Sequence, residues 1–189
     1  MTYVELIIVL SIFSIISSTV IFNYGDFQAK VDIKYLASDI ALQVVGAQKS
    51  ALSGLLPPAA QQALEVPNWK PAYGVYFEMS DNKNFLYFTD LDQNNNFTDI
   101  ACSGGDECLN KISITKNDFI SNLDVFYQDS STASLNDLMI TFTRPNSTPV
   151  IASSVGLGPN ISYVQVTISS PKNITGVIKL YQSGRIQIN

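Results

Sequence analysis

Histidine is absent from the sequence, and cysteine occurs only at Cys102 and Cys108. The first absence removes Ser-His-Asp and Cys-His catalysis together with the commonest zinc ligand. The second means that four soft ligands cannot be gathered from thiols. The two cysteines stand close together in CSGGDEC, where they flank Gly104-Gly105 and can turn to within disulfide distance. The expectation is a Cys102–Cys108 bridge formed outside the cytoplasm, and the alternative is a pair of buried free thiols. A ring this small would contribute about 2 to 2.5 kcal/mol through lost chain entropy. Charge is also scarce: 14% of residues carry one, the formal net charge is −5, and the eleven Lys and Arg are scattered singly from Lys30 to Arg185. Without a basic patch, nucleic acid is not expected as the main partner. No repeat and no long low-complexity tract interrupts the chain, and 189 residues suffice for one domain with a core plus an appendage.

What the sequence does have is an apolar beginning. MTYVELIIVLSIFSIISS continues uncharged to Phe22 except for Glu5. From Val4 to Phe22 there are nineteen residues, about 28 Å as a helix, which matches the hydrocarbon core of a bilayer. A basic start, a short apolar stretch and a small-residue cleavage site, the marks of a cleavable secretory signal, are not visible. A carboxylate within such a run costs roughly 2.5 to 3.5 kcal/mol on insertion scales, so Glu5 calls for a compensating partner or for reach to the headgroup region. Ser11, Ser14 and Ser18 fall on one helical stripe, which allows close contact between helices.

After Gly25 the apolar residues resume at helical spacing in DFQAKVDIKYLASDIALQVVGAQKSAL and stop before Gly54 and Pro57-Pro58. Ile33, Leu36, Ile40, Val44, Ala47 and Ala51 form one stripe, and Val31, Tyr35, Leu42, Val45 and Leu52 form another nearly opposite. Lys30, Lys34 and Gln48 lie along one seam between them; Asp32, Asp39 and Gln43 lie along the other. A surface helix needs one apolar stripe. Two stripes predict a helix that packs on its own domain with one face and on a neighbour with the other, or else a helix wholly buried in one domain.

Beyond Pro71 the pattern becomes β. AYGVYFEM and NFLYFTDL flank DNKN as a hairpin, and further strands are predicted over Ile112–Thr115, Leu123–Tyr127, Leu138–Phe142, Val164–Ile168, Val177–Tyr181 and Arg185–Ile188. The last two are joined by a two-residue turn at Ser183-Gly184, and Ser130 to Ser134 reads as a polar loop. The predicted organisation is a helix over 1–54, a proline-containing linker over 55–71 and a β domain over 72–189. The fold class is α+β, with a long N-terminal helix laid on an antiparallel sheet or small sandwich.

The start, residue-Thr-x-x-Glu followed by an apolar helix, resembles the class III signal of type IV pilins and type II secretion pseudopilins. The matching residues are Met1, Thr2, Glu5 and the run Leu6 to Phe22. Met1 stands where the family usually has phenylalanine, and Phe22 where its helix commonly has proline. Over the rest, SDIALQVVGAQKSAL, NWKPAYGVYF, FTDLDQNNNFTD and GRIQI are similar to the H-type minor pseudopilins. The resemblance implies a structural subunit of an extracellular filament, anchored in the cytoplasmic membrane before assembly. Its partners would be identical subunits in a helical homopolymer, an inner-membrane assembly platform and a prepilin peptidase that trims and N-methylates Met1. In the family the glutamate, here Glu5, is thought to pair with the terminal amine of a neighbour, here Met1. A minor pseudopilin of a secretion or DNA-uptake system is the alternative.

DLDQNNNFTD alternates Asp90, Asp92, Asn94 and Asn96 as oxygen ligands do in calcium loops. Asn95 replaces the glycine and Ala101 the bidentate glutamate of an EF-hand, so the choice lies between a looser calcium site that includes Asp99 and an Asx-rich turn. No cofactor is otherwise required. Sequons at Asn96, Asn146, Asn160 and Asn173 are frequent by chance in so asparagine-rich a chain. An enzyme using Asp90 and Asp92 as a glycosidase pair is the remaining class, but alternate residues on one short turn suit two groups facing across a cleft poorly. No catalysis is expected.

Overall fold

A computed structural model describes residues 2–59, 70–94, 97, 102 and 107–189. Its first element, α1 (Tyr3–Ser53), is one unbroken helix of 51 residues. Thr2 opens it in an extended conformation, and Gly54 closes it at φ 64°. The Gly54 N–H reaches the Ala51 carbonyl, and the Leu55 N–H reaches that of Ser50. These two bonds satisfy carbonyls that every helix end leaves open, and the left-handed residue they require is why glycine stands there.

Ten strands follow: β1 (Ala72–Glu78), β2 (Asn84–Asp90), β3 (Cys108–Ser113), β4 (Phe119–Tyr127), β5 (Thr132–Ser134), β6 (Asp137–Thr143), β7 (Val150–Ala152), β8 (Ile161–Ser169), β9 (Thr175–Tyr181) and β10 (Ile186–Ile188). They form two five-stranded sheets, ordered β3-β2-β1-β6-β7 and β10-β9-β8-β4-β5. All pairings are antiparallel. The expected α+β class and the β hairpin from Ala72 to Asp90 are present.

Side-chain alternation places the core. On β1, Tyr73, Val75 and Phe77 turn into the main cluster, where they meet Leu138, Ile140 and Phe142 of β6, Leu123 and Val125 of β4, and Val164, Val166 and Ile168 of β8. The helix contributes Ile33, Ala37, Ile40, Val44, Ala47 and Ala51 to the same cluster. Both sheets and one helix face therefore share a single apolar interior. Gly176 on β9 permits a close approach of the helix, since a Cβ there would lie 2.7 Å from Ile33 Cγ2. Tyrosine hydroxyls tie the helix end to the sheet: Tyr87 donates to Ser50 Oγ at 3.1 Å and Tyr73 to the Leu55 carbonyl at 2.7 Å.

The other face of the first sheet carries a smaller cluster of Tyr76, Leu86, Phe88, Met139, Cys108 and Phe97. Phe97 packs its ring 4.9 Å from that of Tyr76 and 5.1 Å from that of Phe88. Aromatic burial of this size is enough to fix Phe97 against the sheet.

Three local expectations need correction. The strand expected over Ile112–Thr115 runs instead from Cys108 to Ser113, pairing with β2 through a bulge at Tyr87/Phe88. It is an edge strand, so its outward Asn110 and Lys111 break the apolar alternation that marks buried strands. The loop read at Ser130 to Ser134 contains β5, whose three residues are all exposed; β7, not predicted, is an equally short edge strand. The β9–β10 connection has three residues, because the Tyr181 N–H pairs with the Arg185 carbonyl and the Gly184 N–H with that of Tyr181. Gly184 at φ 82° supplies the left-handed third position of such a loop.

The two stripes of α1 separate cleanly. Ile40 is 0% exposed and Ala47 and Ala51 are fully buried, whereas Tyr35 is 72% and Leu42 67% exposed. The wholly buried alternative is excluded. Ile40→Asp places an unpaired charge in the core and is expected to remove more than about 4 kcal/mol of stability, while Leu42→Asp should change it by no more than about 0.5 kcal/mol. Thermal melts of the detergent-solubilised chain check the pair; equal losses would mean that the exposed stripe is also a core face.

Burial also raises the hydroxyl pKa of Tyr73, aided by Tyr87, and of Tyr76, aided by Glu78 and Asp137, each from 10.0 to about 12. A folded pKa above the unfolded one means that the unfolded chain loses these protons first. Stability from both groups is therefore intact below pH 10 and falls as pH rises from 10 towards 12. Denaturant titrations across that window should show a declining midpoint, and Tyr73→Phe should flatten the decline.

Candidate functional site

The exposed parts of α1 form the first candidate site. Its N-terminal half is long and apolar enough to span a membrane and is 0% buried against the rest of the chain. Polar groups in it turn inward to the helix: Ser11 Oγ donates to the Ile7 carbonyl and Thr19 Oγ1 to that of Ile16, both at 2.8 Å. This leaves fewer open hydroxyl protons in an apolar surrounding. At the tip, the Thr2 N–H donates to Glu5 Oε2 at 2.8 Å and the Glu5 N–H to Thr2 Oγ1 at 3.4 Å. Thr2 and Glu5 thus form a capping box. The spacing Thr-x-x-Glu carried that signal in the sequence, beside the resemblance that drew attention to the same residues. Met1 lies outside the described residues.

Two ion pairs mark where the domain grips the helix. Lys172, before β9, meets Asp26 at 2.9 Å, and Lys116, before β4, meets Asp32 at 2.6 Å. The two lysines are exposed, and pairs of this kind add little stability; their effect is on where the helix sits. Past Lys116, Asp118 is 4% exposed. Burial raises its carboxyl pKa, with Asp32 adding to the rise and Lys116 opposing it. Sequence reasoning missed Asp118, which lies in a polar stretch with no periodic pattern.

A second candidate lies after β2. Carboxylate oxygens of Asp90, Asp92 and Glu107 all lie within 4.8 Å of one another, with Asp90 and Glu107 buried and Asp92 exposed. Of the expected ligands, Asp90 and Asp92 converge, Asn94 is engaged by Asp92, and Asn96 and Asp99 lie outside the described residues. Asp92 Oδ1 accepts from the Asn94 N–H at 3.1 Å and its Oδ2 from Asn94 Nδ2 at 2.6 Å, which is an Asx turn. Glu107 was not anticipated, because it comes from beyond the loop. Its Oε1 accepts from the Leu91 N–H at 3.2 Å, and its own carbonyl accepts from the Thr89 N–H at 2.8 Å. An all-oxygen set with two carboxylates held by backbone is chemistry that suits calcium rather than a softer metal.

Cys102 and Cys108 lie beside this cluster at disulfide distance, with their Cα atoms 4.9 Å apart. Cys108 begins β3 and packs in the smaller apolar cluster, with Cys102 against it. The pairing ties the far end of the loop to the same aromatic patch that holds Phe97. Alkylation of secreted, unreduced chain followed by intact mass should label neither cysteine. Cys102→Ser with Cys108→Ser should lower stability by about 2 kcal/mol without abolishing the fold, because the main core lies on the opposite face of the sheet.

No family model, curated protein or solved structure matches the chain. Its functional reading therefore rests on the residues and their geometry, together with the resemblance of the first thirty residues.

Proposed function

We propose that the chain is a structural subunit of a type IV pilus-like filament. It is held in the cytoplasmic membrane by the first half of α1 before assembly, and afterwards joined to identical subunits through that helix, with the β domains outside. The observation that supports this reading is the division of one continuous helix. Its first half exposes apolar side chains all round, while its second half buries one stripe on the sheets and leaves Tyr35, Leu42, Val45 and Leu52 exposed. Lipid satisfies the first half in the membrane. Outside it, burial against other copies is what removes both the first half and the outer stripe from water. Platform and peptidase partners, and N-methylation of Met1, follow from the resemblance. The resemblance of the later segments to H-type minor pseudopilins favours a second reading, a minor pseudopilin of a secretion or DNA-uptake system; mass per length of sheared filaments with subunit counting separates the two.

Glu5 has a specific task in this proposal. The capping box already gives it a partner in its own chain, and the added role is to neutralise the Met1 amine of a docking neighbour. Loss of one partner from a buried pair costs about 3 to 5 kcal/mol, which weakens each subunit addition several-hundredfold or more. Glu5→Ala removes the cap and the charge, whereas Glu5→Gln keeps a capping side chain and removes only the charge. Both variants should accumulate in the membrane and yield few filaments in the sheared fraction, as read by immunoblot. Normal filament yield from Glu5→Gln would reduce the role of Glu5 to capping.

A further inference from the structure

The exposed stripe of α1 is bordered by two grooves of opposite charge. One, about 410 Å³, runs between the helix and the β3–β4 connection, with Leu42 and Ile112 in its wall and Asp32, Asp39 and Asp118 along it. Among the described residues lining it, Lys116 is the one cation, and it is engaged by Asp32. The other, about 770 Å³, runs between the opposite flank of the helix and β9 and β10, with Phe27 and Ile188 in its wall and Lys30 and Lys34 along it. No carboxylate side chain lines this second groove among the described residues. Lys30, Lys34 and Asp39 are exposed and make no ion pair among the described residues. Lys34 and Asp39 are five residues apart, which sets them about 140° apart around the axis; they cannot meet within one helix.

We infer that the two flanks are complementary halves of one interface between copies of this chain, the lysine flank of one subunit seating against the aspartate flank of the next. The inference rests on the filament reading and specifies its contact. Helices anchored in one membrane run parallel, so two copies can meet by like flanks or by unlike flanks. Like flanks set aspartates against aspartates or lysines against lysines. Unlike flanks pair them and bring the apolar stripes, Tyr35 and Leu42 included, against the neighbouring subunit. A contact between two different patches leaves one patch free on each end, so it repeats instead of closing at a dimer. Opposed charge also fixes which flank meets which, a matter on which an apolar stripe is indifferent.

The test uses the full chain in cells that assemble it. With Lys34→Cys and Asp39→Cys in one chain, mild oxidation of the sheared fraction should give a ladder of dimers, trimers and larger species. Either single variant alone should give none, and the two singles expressed together should give dimers. Lys34→Asp should lower sheared polymer about tenfold, since an unpaired or like-charge contact costs more than 1.4 kcal/mol; adding Asp39→Lys should return it to within about twofold of the parent. Self-dimerisation of one single-cysteine variant would overturn the inference, because it would show like flanks in contact. So would polymer yields unaffected by either charge reversal, although filaments would still exist and the filament reading would stand. A parent chain that gives no sheared polymer would overturn both.

Discussion

The structure depends on a helix with two apolar faces and only one domain to cover them. Burying Ile33, Ile40, Val44, Ala47 and Ala51 between the two sheets satisfies one face. Among the described residues no further element lies over Tyr35, Leu42 and Val45, which are exposed. At about 25 cal/mol per Å² of apolar surface, several exposed side chains of this size represent several kcal/mol that become available only when a second molecule covers them. The apolar first half imposes the same requirement more strongly. In water the chain therefore keeps apolar surface exposed on both halves of one helix.

The sheets serve this arrangement by holding the second half of α1 at a fixed height and rotation. Gly176 lets Ile33 sink against β9, Tyr87 and Tyr73 anchor the helix end, and Lys116 and Lys172 meet Asp32 and Asp26 towards the apolar first half. Hydrogen bonds and exposed ion pairs of this sort add little energy each. Acting together at four points along the helix, they decide which residues face outward. The acidic and basic flanks are therefore presented on either side of the exposed stripe.

The carboxylate cluster belongs to a different layer of the molecule. It adjoins the smaller apolar cluster of the first sheet, since Glu107 directly precedes Cys108 of that cluster. The backbone of β2 supplies Asp90, the turn supplies Asp92, and the approach to β3 supplies Glu107. Hydrogen bonds from the Leu91 N–H to Glu107 and from the Asn94 N–H to Asp92 hold two of these acids in place.

Much of this could be read from the residues alone. Periodicity located the helix, its two stripes and the seams of opposite charge between them, because period and burial are directly related in a long helix. Alternation likewise located the central strands, whose side chains are buried on one or both faces. Short edge strands escaped, since β5 and β7 bury too little to leave a pattern, and so did the true extent of β3. The capping box at Thr2 and Glu5 was present in the spacing of two residues. Glu107 and Asp118 could not be found in this way. Glu107 lies fifteen or more positions beyond the acids it meets, and Asp118 acquires its environment from a helix residue far earlier in the chain. Local sequence determined which segments are helix and strand and which helix faces are apolar, because those depend on neighbours three or four positions away. Only the tertiary structure decided which of the two faces is covered and which distant carboxylates come together, because that depends on how two sheets close around one side of the helix.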